Sequence, residues 1–265
     1  MSLDGGIVQS ERLEAAEWIA ERLAPFAAWQ VGSIVPRGFE AYVRVFHPTG
    51  EGEQRRTWRQ LADRYGRVMH AHAEFEQLVP PDQRPYVGDP PVGFMPPELT
   101  ATVADLVARH TRAADRCWFC LWDGWGWLQG PPAIAILAGS PEKQRQAPLS
   151  ETQRRRQSRF RLDAGRVSLP GRDYLLLEGP LASLAHFGYS IEWPDGRRLF
   201  DHASPNLWWP DDRAWCVATE IDLDSTYIGG SQALAADLLN DPRVEATPVR
   251  AGDARGDTIN PPYDH

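Results

Sequence analysis

The chain has 265 residues, 42% of them apolar, and a net charge of −8, which is enough apolar material to bury a core without disulfides. That acidic balance opposes nucleic-acid binding, because neutralising phosphates supplies most non-specific affinity. No apolar stretch is longer than the six residues of AIAILA at 133–138, far short of the ~20 residues a membrane helix requires.

The first 18 residues lack the basic head and apolar middle of a secretory signal, so a cytoplasmic location is expected. Three cysteines, Cys117, Cys120 and Cys216, are too few and odd in number for a disulfide framework and fit a reducing compartment. Lys143 is the single lysine among 28 basic residues, so arginine runs carry little functional information here. Charge is uneven along the chain: −4 over residues 1–138, +5 over 139–161 and −9 over 162–265.

In chain order, Ser10 is placed to cap a helix over 10–24, with Leu13, Ala16, Ile19, Ala20 and Leu23 at helical spacing before Pro25. Residues 29–35 and 39–47 read as a hairpin about Pro36-Arg37-Gly38. Thr57-Trp58-Arg59-Gln60 matches a capping box, and Leu61, Tyr65, Val68, His72, Phe75 and Val79 continue as one stripe over 58–79. A proline-rich connection leads to a helix over 97–112, with Leu99, Val103, Leu106 and His110 inward. Residues 116–122 and 133–138 read as buried strands. The segment 139–159 has no periodicity and is expected to be a mobile polar insertion.

Strands follow near 160–169 and 173–178, then a short helix over 180–187 and a hairpin at Pro194-Asp195-Gly196. A strand is expected over 214–223, a helix opening at Gly229-Gly230-Ser231 and running to Asn240, a strand over 243–249, and a disordered tail at 251–265. The absence of strand-helix alternation gives an α+β fold, a mostly antiparallel sheet packed against three or four helices. It is read as one domain over 1–250, with a possible division into lobes 1–138 and 160–250.

The sharpest catalytic patterns are absent: no phosphate-cradling G-x-x-x-x-G-K-[ST], no G-x-G-x-x-G, no G-x-S-x-G and no H-E-x-x-H. Cys117 and Cys120 have redox or zinc spacing, but on a strand they point to opposite faces, so buried small hydrophobes is the simpler account. His70/Glu74 and His72/Glu76 are i,i+4 pairs about 200° apart on a helix and cannot converge on one ion unaided. His72 and His110 read as core histidines and His70 as exposed. Arg154-Arg155-Arg156 reads as a solvated charge run.

The segment SPNLWWPDDRAWCVATEIDLDSTYIGGS, residues 204–231, carries the candidate site. On a strand over 214–223 one face is apolar and the other acidic, placing Glu220, Asp222 and Asp224 in a row. Two adjacent indoles in a loop cannot face the same core, so one of Trp208 and Trp209 is expected to be partly exposed beside Asp211 and Asp212. Such a surface suits a wet face, docking of a cationic partner, or a metal or acid/base cluster.

The stretches RGFEAYVRVFHP, CWFCLWDGWG and that same segment resemble a group of conserved actinobacterial proteins. No activity attaches to that group, so the resemblance implies no catalytic residue. The expected function is therefore non-enzymatic binding of a cationic protein or small-molecule ligand through an acidic, tryptophan-rich surface, with no cofactor. The alternative is a small hydrolase using Glu220, Asp222 and Asp224 with His202 or Asp211.

Overall fold

Uninterrupted apolar runs such as Cys117-Trp-Phe-Cys-Leu-Trp122 and Leu175-Leu176-Leu177 demand burial on both faces of a sheet, and the fold is built around that demand. The computed structural model describes residues 6–50, 52–129, 164–192 and 198–263. Its strands are β1 (Val8–Gln9), β2 (Ala41–Phe46), β3 (Cys117–Trp122), β4 (Val167–Leu169), β5 (Arg172–Gly179), β6 (Gly188–Glu192), β7 (Arg198–His202), β8 (Leu207–Pro210), β9 (Cys216–Ala218), β10 (Ser225–Gly230) and β11 (Ala246–Val249). Nine form one sheet in the order β1-β5-β3-β8-β9-β10-β2-β11, with β4 also on β5. Every pairing among the described residues is antiparallel, including the separate β6–β7 hairpin. The fold is α+β, dominated by the sheet.

The helices are α1 (Glu17–Arg22), α2 (Trp58–Tyr65), α3 (Phe75–Leu78), α4 (Arg84–Val87), α5 (Pro97–Ala108) and α6 (Gln232–Asn240). On one sheet face Phe119, Leu175, Leu177, Trp208, Val217 and Ile228 pack with Leu99, Val103 and Leu106 of α5 and Leu234 and Leu238 of α6. On the other, Trp118, Cys120, Leu176, Trp209, Cys216 and Tyr227 pack with Trp18, Ile19, Leu23 and Val31 of the N-terminal segment. A third cluster gathers Phe46, Trp58, Leu61, Phe75 and Leu78 beneath α2 and α3.

Several expectations are corrected. The helix expected over 10–24 is a 3-10 turn, Leu13–Ala16, followed by the short α1, because Ser10 extends the β1 pairing instead, its N–H donating to Leu176 O at 2.8 Å. Residues 26–28 and 31–33 form 3-10 turns, so no hairpin precedes β2, which pairs with β10 and β11. The Thr57/Gln60 capping box is present, but Gly66 adopts a left-handed conformation (φ 66°) and ends α2 there. β9 stops at Ala218, and a turn closed by Leu223 N–H donating to Glu220 O replaces the rest of the strand expected over 214–223.

The tail is ordered over its described residues. Gly32 N–H donates to Ala251 O at 2.8 Å, and Asn260 both accepts from Val68 N–H and donates to Val68 O, each at 2.9 Å. Strands from residues 8–122 and 167–249 interleave in one sheet. The strand expected at 133–138 and the polar insertion at 139–159 lie outside the described residues.

Candidate functional site

Strand alternation settles the fate of the two tryptophans. Trp208 and Trp209 are both fully buried, one in each core, because consecutive strand residues face opposite sides and this sheet has a core on each. Trp208 meets Trp215 edge-on at 5.5 Å and Trp209 meets Trp18 edge-on at 6.1 Å. Neither forms the expected surface. The same alternation sends Cys117 to one core and Cys120 to the other. Burial pushes the Cys117 thiol up to about 12 and the Cys120 and Cys216 thiols up as well, which suits buried hydrophobes rather than nucleophiles.

The acids are divided rather than aligned. Arg172 of β5 donates from Nε to Glu220 at 3.0 Å and from Nη2 to Asp222 at 2.7 Å. The second Glu220 oxygen accepts the Asp222 N–H at 2.7 Å. Asp224 belongs to another site: it lies 3.7 Å from Arg44, and burial raises its pKa despite that cation. Arg44 also donates to Ser225 Oγ, Ala71 O and Ala73 O, so it pins the 71–73 turn to the sheet.

Asp211 accepts from Arg116 and from the Trp118 indole. Asp212 accepts from Thr111 Oγ1, Arg112 N–H and Ala214 N–H. Partial burial pushes its pKa up, but these bonds outweigh it and hold the carboxyl below its usual range. Both acids tie loops together. His202 is exposed on β7. His70 pairs with Asp257, His72 with Asp253 and His110 with Asp237. Among the described residues no group of three or more His, Cys, Asp or Glu side chains is placed to hold a metal ion.

What the structure brings together is a cleft between the N-terminal segment and the sheet. It is shallow and partly open to solvent, and Leu23, Ile34, Leu169 and Leu207 give it apolar walls. Arg172, Tyr174, Asn206, Thr219 and Glu220 supply its polar groups. Phe26 packs where a β-carbon on Gly171 would lie 3.1 Å from its ring, so the left-handed Gly171 (φ 94°) in the β4–β5 turn makes room for it. The Arg172 guanidinium lies 5.4 Å from the Phe26 ring and 5.7 Å from Trp122.

Beside Phe26, at a ring distance of 5.7 Å, stands Trp29. It is 56% exposed and has a left-handed backbone, φ 47°. A bulky side chain in that region is uncommon and costs of order 1–3 kcal/mol. Sequence reasoning missed Phe26, Trp29, Arg172 and Tyr174. Only the Pro25 stop ahead of PFAAW and the Pro170-Gly171 turn ahead of Arg172 hinted that irregular backbone gathers there.

Behind the cleft runs a buried polar chain that sequence reasoning also missed. His47 Nδ1 lies 2.7 Å from Pro91 O, which can only accept, so the imidazole donates there. Nε2 then accepts from Thr226 Oγ1 at 2.9 Å, leaving Thr226 to accept from Thr219 Oγ1 at 2.7 Å. Burial lowers the His47 pKa to about 4, so the ring is neutral. The chain satisfies buried groups where β2, β9 and β10 meet. Comparison with protein-family models, with curated proteins and with solved structures finds no match.

Proposed function

We propose that this chain is a binding protein whose site is the cleft between residues 23–34 and the sheet, and that it takes a ligand or partner side chain with an apolar body and a cationic head. The observation that carries this reading is the placement of Glu220, 8% exposed, among the apolar walls formed by Leu23, Ile34, Leu169 and Leu207. An apolar concavity with a few convergent polar groups is the usual form of a small-ligand site. Glu220 and Asp222 outnumber Arg172 there, so an incoming cation meets a net negative head-group site. Asp222 is mostly exposed and is free to swing from Arg172 to a newcomer.

Trp29 supports the same reading. The indole already stacks against Phe26 and the Arg255 guanidinium, 5.3 Å from its ring, and its remaining exposed surface suits the rim of a site that takes a planar or cationic group. Trp29 thereby takes the role expected of Trp208 and Trp209. Hydrolysis by the carboxylates gains no support, because Asp224 lies apart against Arg44 and the expected row of Glu220, Asp222 and Asp224 is not assembled.

Ligand-observed NMR with benzamidine, benzylamine and benzoate tests the proposal. Benzamidine and benzylamine are expected to bind saturably and at least about tenfold more tightly than benzoate, a preference lost in Glu220→Gln. Equal or stronger binding of benzoate, or no saturable binding by any probe, refutes it.

A further inference from the structure

α1 places Trp18 and Arg22 at i,i+4, on one face of the helix. The Trp18 ring is 3% exposed and is wedged edge-on against Phe39 at 6.2 Å and Trp209 at 6.1 Å. Two guanidinia converge on it. The central carbon of Arg22 lies 5.5 Å from the ring centroid and that of Arg213 lies 5.6 Å away. Arg213 follows β8 in a tight turn, its N–H donating to Pro210 O, with a left-handed backbone of φ 54°. Gly38, left-handed at φ 103°, lies beside the Arg22 guanidinium, where a β-carbon would make ordinary contact with Arg22 Nη1 at 3.6 Å.

Arg12, Arg44, Arg116 and Arg172 each lie within 4 Å of a carboxylate. Among the described residues, neither Arg22 nor Arg213 has such a partner. A second observation points the same way. The Trp18 indole N–H is buried and has no acceptor among the described residues, and a buried donor left unsatisfied calls for an explanation such as a bound ion. The Trp208 and Trp215 indole N–H groups are also buried without an acceptor among the described residues, but it is at Trp18 that two guanidinia without a carboxylate partner lie against the ring.

We propose that Arg22 and Arg213, gathered on Trp18, form an oxyanion site that takes a phosphate group. Two unpaired guanidinia match the two negative charges a phosphate carries near neutral pH, and their planar forks match its oxygens. An acetate-like carboxylate offers one charge and two oxygens and leaves a guanidinium unserved. The site is one clip in an acidic chain rather than a basic track, so it suits a single phosphate group, not a nucleic-acid backbone. It is independent of the cleft proposed above and stands or falls separately.

The test follows the Trp18 indole N–H resonance, assigned by its loss in Trp18→Phe, as inorganic phosphate is added at pH 7.5 against sodium chloride of matched ionic strength. A saturable shift with phosphate and none with chloride is expected. Arg22→Gln or Arg213→Gln weakens it about tenfold, the double variant abolishes it, and Arg116→Gln, whose arginine already pairs with Asp211, leaves it unchanged. Phenyl phosphate binding as well as or better than phosphate assigns the site to phosphomonoesters, and weaker binding assigns it to the free ion. The proposal fails if chloride gives the same response, if no saturable shift occurs at millimolar phosphate, or if the double variant still binds. Should Arg213→Gln lower the melting temperature, Arg213→Lys keeps the charge and loses the fork, and the same weakening is expected.

Discussion

Arg172 and Glu220 meet at 3.0 Å across 48 residues of sequence, joining the start of β5 to the turn after β9. The pair holds one wall of the cleft to the other. Replacing Arg172 by Met leaves Glu220 buried without its cation and is expected to cost about 1–3 kcal/mol in urea unfolding, less than a fully buried pair because Arg172 is part-exposed. Adding Glu220→Gln is expected to recover part of that loss. Asp222→Asn, at an exposed position, is expected to change stability by no more than about 0.5 kcal/mol.

His47 gives the protein an acid-sensitive stability. Its pKa is lowered from an ordinary 6.5 to about 4, so the unfolded chain takes up a proton in that interval that the folded chain refuses. Protonation therefore favours unfolding. Stability is expected to fall as pH drops from about 6.5 toward 4, with a slope reaching about 1.4 kcal/mol per pH unit from this residue. His47→Gln is less stable at pH 7, and its deficit shrinks steadily with acidification. Unfolding curves measured from pH 7.5 to 4 check this, and a deficit independent of pH contradicts a neutral imidazole.

Asn260 anchors the C-terminal segment through reciprocal bonds to Val68. Asn260→Ala strands both backbone groups and is expected to cost about 1–3 kcal/mol. Hydrogen exchange gives a local readout: the Val68 N–H is protected in the parent and exchanges faster in the variant. Unchanged exchange would mean that the segment does not hold Val68.

Trp29 separates fold from recognition. Trp29→Asn keeps a residue that tolerates left-handed backbone and is expected to leave stability unchanged or raise it by about 0.5 kcal/mol, while weakening benzamidine binding. A large loss of stability would assign the indole to packing instead.

The strands and helices with strong local signals were legible in the chain itself. The Thr57 box, the Ser231 cap whose hydroxyl accepts Leu234 N–H, α5, and the apolar runs of β3 and β5 all appear where pattern places them, whereas Trp208 and Trp209, expected in a loop, lie on the strand β8. The acidic row was misplaced because alternation continues in the sequence from Cys216 to Asp224, whereas the backbone turns after Ala218 and its hydrogen bonds leave no trace in residue type. The ordered tail escaped for a similar reason: a stretch rich in proline, glycine and aspartate reads as loose, and its anchors are side chains of Asp257 and Asn260 that meet residues near position 70. Adjacent tryptophans were correctly expected to part company, but a core behind each face was not foreseen, so exposure was assigned where a second interior exists.

That double-sided sheet makes the chain tolerant of one kind of change and intolerant of another. Trp208 touches only one interior and Trp209 only the other, so a compensating pair of substitutions on one side need not be answered on the far side. Inserting or deleting a single residue within β8 would instead send each indole to the wrong side, together with every residue after it in the strand. Over evolutionary drift, the two interiors are free to change composition separately, while the lengths of the central strands stay fixed.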